Sequence, residues 1–142
     1  MADFIELEVV SSKKVILEKM EIKELYIPAF FGRAGILKNH LPYITLLKMG
    51  EVSYLDPRDK RHYLYIEDGF VESADNKIAI VSDTVVPGEE LDKEAISAKL
   101  TEVRARIKSS LKGEISAEEL ALALEEEKRL KIKAGIIKKR AG

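Results

Sequence analysis

The 142-residue chain contains no cysteine, which removes disulfides, thiolate nucleophiles and thiolate metal sites at once. Histidine is scarce, with His40 and His62 alone. Neither sits in the clustered His/Asp/Glu spacing that zinc needs without sulfur. A charge excess is also missing. Lys plus Arg number 24 against 25 Asp plus Glu, so nothing points to a nucleic-acid surface. No run approaches the ~18–20 apolar residues of a membrane span. The opening MADFIELEVV lacks a basic segment leading into an apolar one, the pattern of a secretory signal. We expect neither secretion nor direct membrane insertion.

What the chain does have is 46% hydrophobic residues, enough for the core of one domain or of a small domain with an appendage. The hydrophobic period changes along it. Over residues 1–86, short β-branched or aromatic runs alternate with a period of two: Ile5, Leu7 and Val9 interleave with Phe4, Glu6 and Glu8. Asp56-Pro57 and Ala74-Asp75-Asn76-Lys77 punctuate the runs, and Asp75-Asn76 reads as a hairpin tip because both residues tolerate a left-handed backbone. The pattern predicts an antiparallel β-sandwich. After Pro87-Gly88 the period becomes helical, with Ile96, Leu100, Val103, Ile107 and Leu111 on one stripe. Asp92 is placed to cap this helix or to sit in its first turn, and Gly113 to end it. Ser116-Ala117-Glu118-Glu119 fits a capping box for a second helix, whose apolar line we place at Leu120, Leu124, Leu130, Ala134 and Ile137. The expected fold is α+β: a sandwich over 1–86, then an antiparallel helical hairpin over 87–142 with helices at about 92–112 and 117–139. Each helix has one narrow stripe, so the hairpin is expected to draw its stability from packing on the sandwich.

Charge divides with period. Residues 1–88 hold 11 basic and 14 acidic residues, and residues 89–142 hold 13 and 11. Seven of the latter cations fall in 125–140 beside three carboxylates.

Candidate chemistry is thin. A catalytic histidine needs a nucleophile or acid within hydrogen-bond reach. His40 stands in "GILKNHLPYITLL", where Thr45 belongs to an alternating strand, and it reads as a corner or interface residue. His62 reads as a solvent-facing sheet residue. Gly32 and Gly35 lack the Gly-Lys-Ser/Thr ending of a phosphate loop and are expected to supply positive φ at a corner. "EEEKRLKIK" reads as a solvated helix face with i,i+4 pairs. The residues point to an interaction module; an enzyme using His40 is the least supported reading.

The stretch "GRAGILKNHLPYITLLKMGEV", then "GFVESADNKIAIVSDTV", then "ELD" at a helix start, resembles the epsilon subunit of F-type ATP synthases. Order and spacing carry the resemblance over residues 4–92; the helical half matches by length and position. The resemblance implies about ten strands followed by two helices. It implies a non-catalytic rotor subunit of the central stalk, without cofactor, peripheral on the cytoplasmic face of the inner membrane. The leaderless start favours a bacterial source. Its partners would be the gamma subunit, the polar loops of the membrane ring and, with the hairpin raised, the catalytic head, where the helices inhibit ATP hydrolysis. The alternative is a free-standing β-sandwich binding module with a helical dimerisation tail.

Carried onto this chain, the resemblance puts the ring and stalk interface at Ser11, Phe30, Phe31, Gly32, Arg33, Gly35, Ile36, Leu37, His40 and Pro42. Arg33-Ala34 replaces the family's acidic residue, and Phe30-Phe31 adds apolar area, so either a more hydrophobic ring contact or a ring loop of different charge is expected, with Phe30, Phe31, Ile36 and Leu37 exposed. The inhibitory charge falls on Lys128, Arg129, Lys131 and Lys133. Some bacterial members bind ATP through Leu/Ile-Asp-x-x-Arg-Ala. Here the segment is Leu91-Asp92-Lys93-Glu94-Ala95-Ile96. Without the arginine fork, weak or no ATP binding is expected.

Overall fold

A computed structural model describes residues 4–39 and 42–141. It divides between Gly88 and Glu89 into two compact units. The first is built of eight strands: β1 (Ile5–Ser11), β2 (Val15–Ile22), β3 (Glu24–Ala29), β4 (Gly32–Leu37), β5 (Tyr43–Leu47), β6 (Gly50–Leu55), β7 (Arg61–Ala74) and β8 (Lys77–Pro87). They form one continuous sheet folded on itself, ordered β2-β1-β8-β7-β5-β3-β4, with β6 joining β3 to β7. The enclosed core is Ile5, Leu7, Val9, Ile22, Leu25, Ile27, Ile36, Val52, Leu64, Ile66, Val71, Ile78 and Ile80, with their neighbours.

The count is eight strands among the described residues, against an expected ten or so, because β7 and β8 are long enough to serve both layers. Their inward parity reverses partway. Leu64 and Ile66 enter the core from one half of β7 and Val71 from the other; Ile78 and Ile80 enter from β8, then Val85. The ladder between them skips Asp68 and Asp83, where Asp68 takes φ 23°. Two residues build this joint. A Cβ on Gly69 would lie 2.1 Å from the Val81 carbonyl oxygen, so only glycine lets the strands cross that closely. Buried Ser82 has its Oγ within donating reach of the carbonyls of Glu67, Asp68 and Thr84, the last two at 3.0 Å. One further departure from the antiparallel expectation is β1, which pairs parallel with β8. The sequence-adjacent pairs β1–β2, β3–β4 and β7–β8 are antiparallel, as is β6–β7.

The β7–β8 turn is Asp75-Asn76, both left-handed at φ 54° and 60°, the two-residue geometry that matches strand twist. In the β6–β7 turn, Asp56 Oδ1 accepts the N–H groups of Arg58 (2.8 Å) and Lys60 (3.0 Å), while Oδ2 lies 2.8 Å from His62 Nε2. His62 is thus half-buried and stacked on Tyr54, 4.9 Å between ring centroids, and not the solvent-facing residue expected. The His62 hydrogen bond, aided by those N–H groups, lowers the Asp56 pKa from 3.8 to about 2. A lowered carboxylate pKa contributes stability above the unfolded value that is lost as pH falls through the folded one. Asp56→Asn removes that contribution. We expect the wild type to lose more stability than the variant between pH 3.8 and about 2, read by acid unfolding followed with circular dichroism. Equal acid sensitivity would remove Asp56 from the account.

The second unit holds α1 (Lys93–Ser109) and α2 (Ala117–Ala141). Asp92 caps α1, its Oδ1 accepting from the N–H of Glu94 (3.0 Å) and Ala95 (3.2 Å). Ser116 and Glu119 close the capping box of α2 reciprocally, at 3.1 and 3.3 Å. Gly113 is left-handed at φ 70° after a 3-10 turn over Ser110–Lys112. That turn carries Leu111 off the α1 stripe and leaves it exposed. Buried positions are Ile96 and Val103 on α1, and Ala123, Leu130, Ile136 and Ile137 on α2. Leu124, expected inside, is 48% exposed because Ala123 takes the inward position.

Candidate docking interface

Side chains on one face of a sheet form rows across its strands, and register assigns them. In the first layer Val15 faces Val10, Val10 faces Val81, Val81 faces Phe70 and Phe70 faces Leu46. Phe30, in the β3–β4 turn, extends the row through its N–H bond to the Leu46 carbonyl at 2.9 Å. These residues lie at the parity opposite to the core positions. Phe30 is 57% and Leu46 62% exposed, and Val15, Phe70 and Val81 are also open to solvent. Phe31 is 94% exposed, its ring edge-on to Phe30 at 5.2 Å. A contiguous apolar band of this kind is costly on a free surface.

The sequence stretch Gly32–Pro42 is not one loop. Its first six residues are β4, the edge strand, and a strand of that length spans about 20 Å. Pairing links Ser11 to Ser82, Gly69, Leu47, Ala29 and Gly32 in succession. Ser11 and the Phe30-Phe31 turn therefore share one end of the sandwich. Asn39 belongs to the opposite end, where its N–H donates to Asn76 Oδ1 at 2.6 Å. Pro42 is exposed beside β5. His40 lies outside the described residues.

Strand alternation sorts the other expected interface residues. Phe31, Arg33, Gly35 and Leu37 face out, whereas Ile36 is 1% exposed and belongs to the core. Its expected exposure is thus overturned, because β4 turns every second residue inward. Gly32 has a positive φ of 139°. Gly35 does not; it is glycine for space, since a Cβ there would meet the Tyr26 ring at 2.8 Å. Arg33 is held on the sheet. Its Nη1 donates to the Glu51 carbonyl (2.9 Å) and its Nη2 to the Glu51 carboxylate and Ser53 Oγ (both 3.3 Å), with the guanidinium 5.8 Å from the Tyr26 centroid. Ser11 Oγ is engaged in its own turn by the N–H groups of Lys13 and Lys14.

In the helical unit, Leu91 is buried and its carbonyl accepts from Arg140 Nη1 at 2.8 Å, while Asp92 Oδ1 is occupied by capping. Of the expected inhibitory cations, Lys128 and Lys131 are exposed. Arg129 instead pairs within α2, with Glu125 at 3.2 Å and Glu126 at 3.5 Å, and Lys133 is half-buried.

Sequence reasoning missed Val10, Val15, Ile44, Leu46, Phe70 and Val81. A signal was present. In Tyr43–Leu47 both parities are apolar, and a strand whose outward positions are as apolar as its inward ones has something to cover on each face.

The family model described as "ATP synthase, Delta/Epsilon chain, beta-sandwich domain" matches residues 4–88. An ATP synthase epsilon chain of Pelagibacter ubique is 33% identical over 110 residues, covering 78% of this chain and 84% of its own. One from Solibacter usitatus is 29% identical over 130 residues, 92% of this chain and 96% of its own. Among solved structures, a chain of the Euglena gracilis mitochondrial ATP synthase (OSCP/F1/c-ring, rotational state 1) superposes with a TM-score of 0.76 at 23% identity. That match covers 92% of this chain and 81% of the other, a likeness of fold. A chain from the Tetrahymena thermophila central stalk/c-ring structure reaches 0.58 at 14% identity, covering 93% and 95%.

Proposed function

The chain belongs to the ATP synthase epsilon-chain family, and from that premise we propose that it is a non-catalytic rotor subunit of the central stalk. In this reading the sandwich docks on the gamma subunit and on the polar loops of the membrane ring, and turns with them. The subunit is peripheral on the cytoplasmic face of the inner membrane, without cofactor or nucleic acid. It meets the catalytic head through its helices and restrains hydrolysis there.

The observation that carries the docking role is the outward apolar row from Val15 to Phe30, with Phe31 beside it. A surface of this kind is stable in water chiefly when another protein covers it. The contact at the Phe30-Phe31 end is hydrophobic in this reading, because the two rings dominate that end and Arg33 is drawn back onto Glu51 and Ser53.

Co-purification with solubilised ATP synthase tests the reading. Phe31→Asp places a charge where apolar contact is expected. Retention in the complex is expected to fall about tenfold or more, with the sandwich still folded, since buried aromatics dominate interface energies. Undiminished assembly of that variant counts against this interface.

A further inference from the structure

The apolar row has a charged neighbour on the same face. Two residues along each strand, and about 7 Å away at 3.3 Å per residue, lies the row Glu8, Ala79, Glu72 and Ile44. Glu8 on β1 and Glu72 on β7 straddle Ala79 on β8, about 10 Å apart at two strand spacings. The small alanine leaves a shallow hollow, which Glu6, Lys19 and Lys77 also line. Among the described residues, neither the Glu8 nor the Glu72 carboxylate makes a hydrogen bond or an ion pair, although two lysines share the hollow. One row further, Glu6 faces Glu21 across β1 and β2.

Like charges set opposite each other on neighbouring strands destabilise a sheet. Glu6 and Glu21 are such a pair, with Lys77 facing Glu6 on its other side. Glu8 and Glu72 stand two strands apart on either side of Ala79 and repel more weakly. Lys19 and Lys77 share the hollow with three carboxylates but form no ion pair with Glu8 or Glu72 among the described residues, so a further cation from outside is favoured between those two.

We propose that this face, taken as the docking face of the reading above, receives a partner segment of defined chemistry. The segment carries a line of apolar side chains that covers Val10, Val81, Phe70 and Leu46. About 7 Å from that line, it carries an arginine or lysine that sits over Ala79 between Glu8 and Glu72. A guanidinium fork suits two flanking carboxylates, since its donors lie in one plane and point both ways. The apolar row supplies most of the affinity. The carboxylates fix the register of the partner along the strands and speed its arrival.

The test uses ATP synthase stripped of this subunit and the full-length chain titrated back at low and high salt. At low salt, the double variant Glu8→Gln/Glu72→Gln is expected to rebind about tenfold more weakly than wild type, and the two should converge at high salt, where screening removes the wild-type advantage. Phe70→Ser should weaken rebinding at every salt concentration. Thermal unfolding of the glutamine variant should match or exceed the wild type, since repulsion is relieved. If the wild type rebinds and the glutamine variant matches it in affinity and salt dependence, the cation seat is wrong while the docking role stands. If the wild type itself does not rebind, the docking role falls and the seat with it. Sedimentation of the isolated chain should show a monomer; a dimer dissolved by Phe70→Ser would assign the face to a second copy and overturn the proposal.

Discussion

Gly69→Ala is expected to lower the melting temperature of the sandwich by at least ~10 °C. The added methyl would stand 2.1 Å from the Val81 carbonyl oxygen and 2.8 Å from the Ser82 Cα. Both are backbone atoms in the middle of a ladder, so neither can swing aside as a side chain does. Overpacking in a core costs about 1–3 kcal/mol when neighbours can shift; here the loss should reach ~3 kcal/mol or more, because relief requires prising β7 from β8. Each kcal/mol moves the midpoint of a small domain by about 4–8 °C. The control is Gly135→Ala. That residue sits inside α2, and a Cβ added there would meet nothing within 4 Å. Alanine at that position should stabilise the helix by about 0.5–1 kcal/mol. Thermal unfolding of the two variants side by side separates a glycine kept for space from one with no steric need. A Gly69→Ala midpoint within ~2 °C of wild type would mean that the joint yields, and that the strand crossing is not what glycine secures.

That joint also marks the boundary of what is legible in the sequence. Local chemistry can be read: Asp92 as a cap, Ser116 with Glu119 as a capping box, and Asp75-Asn76 as a left-handed turn each depend on residues within four positions of one another. The identity of the inward face of β1 can be read from alternation alone. The continuity of β7 cannot. RHYLYIED and GFVESA look like two strands because the apolar parity slips between Ile66 and Val71, and a slip reads as a break. Only the pairing across to β8, fixed by Gly69 and Ser82, shows that one strand passes from layer to layer. The site is hidden for the same reason. Gly32–Pro42 reads as a corner, yet its first half is an edge strand, which puts Ile36 inside and makes Gly35 a matter of space. The apolar row stays out of sight because its members lie on different strands. Val10, Val81, Phe70 and Leu46 become neighbours only through register, and no spacing within the sequence encodes it.

Deleting residues 89–142 is expected to raise ATP hydrolysis by the intact complex several-fold while the sandwich stays bound. The cut falls at the boundary between the two compact units, and the core and apolar row of the first lie wholly before it. The second unit is lightly built, with two buried residues on α1 and four on α2, and Arg104 Nε reaching Glu127 at 3.2 Å between them. Leu111 and Leu122 remain 86% and 69% exposed. Helices with so little buried surface hold one arrangement by a small margin, and a second arrangement within a few kcal/mol is reachable when a partner favours it. In the proposed reading, charge supplies the preference. Residues 125–140 carry seven cations and three carboxylates, and such a segment would favour a placement against an acidic surface of the head, less so in high salt. Arg129 is already bonded to Glu125 and Glu126, so the exposed Lys128 and Lys131 should carry more of this than Arg129 does. Neutralising Lys128, Arg129, Lys131 and Lys133 together should reproduce part of the rise in hydrolysis, and Lys128→Gln/Lys131→Gln most of that part. Hydrolysis is measured on complexes matched for subunit content. Unchanged rates in both the deletion and the charge variants would mean that these helices are no brake.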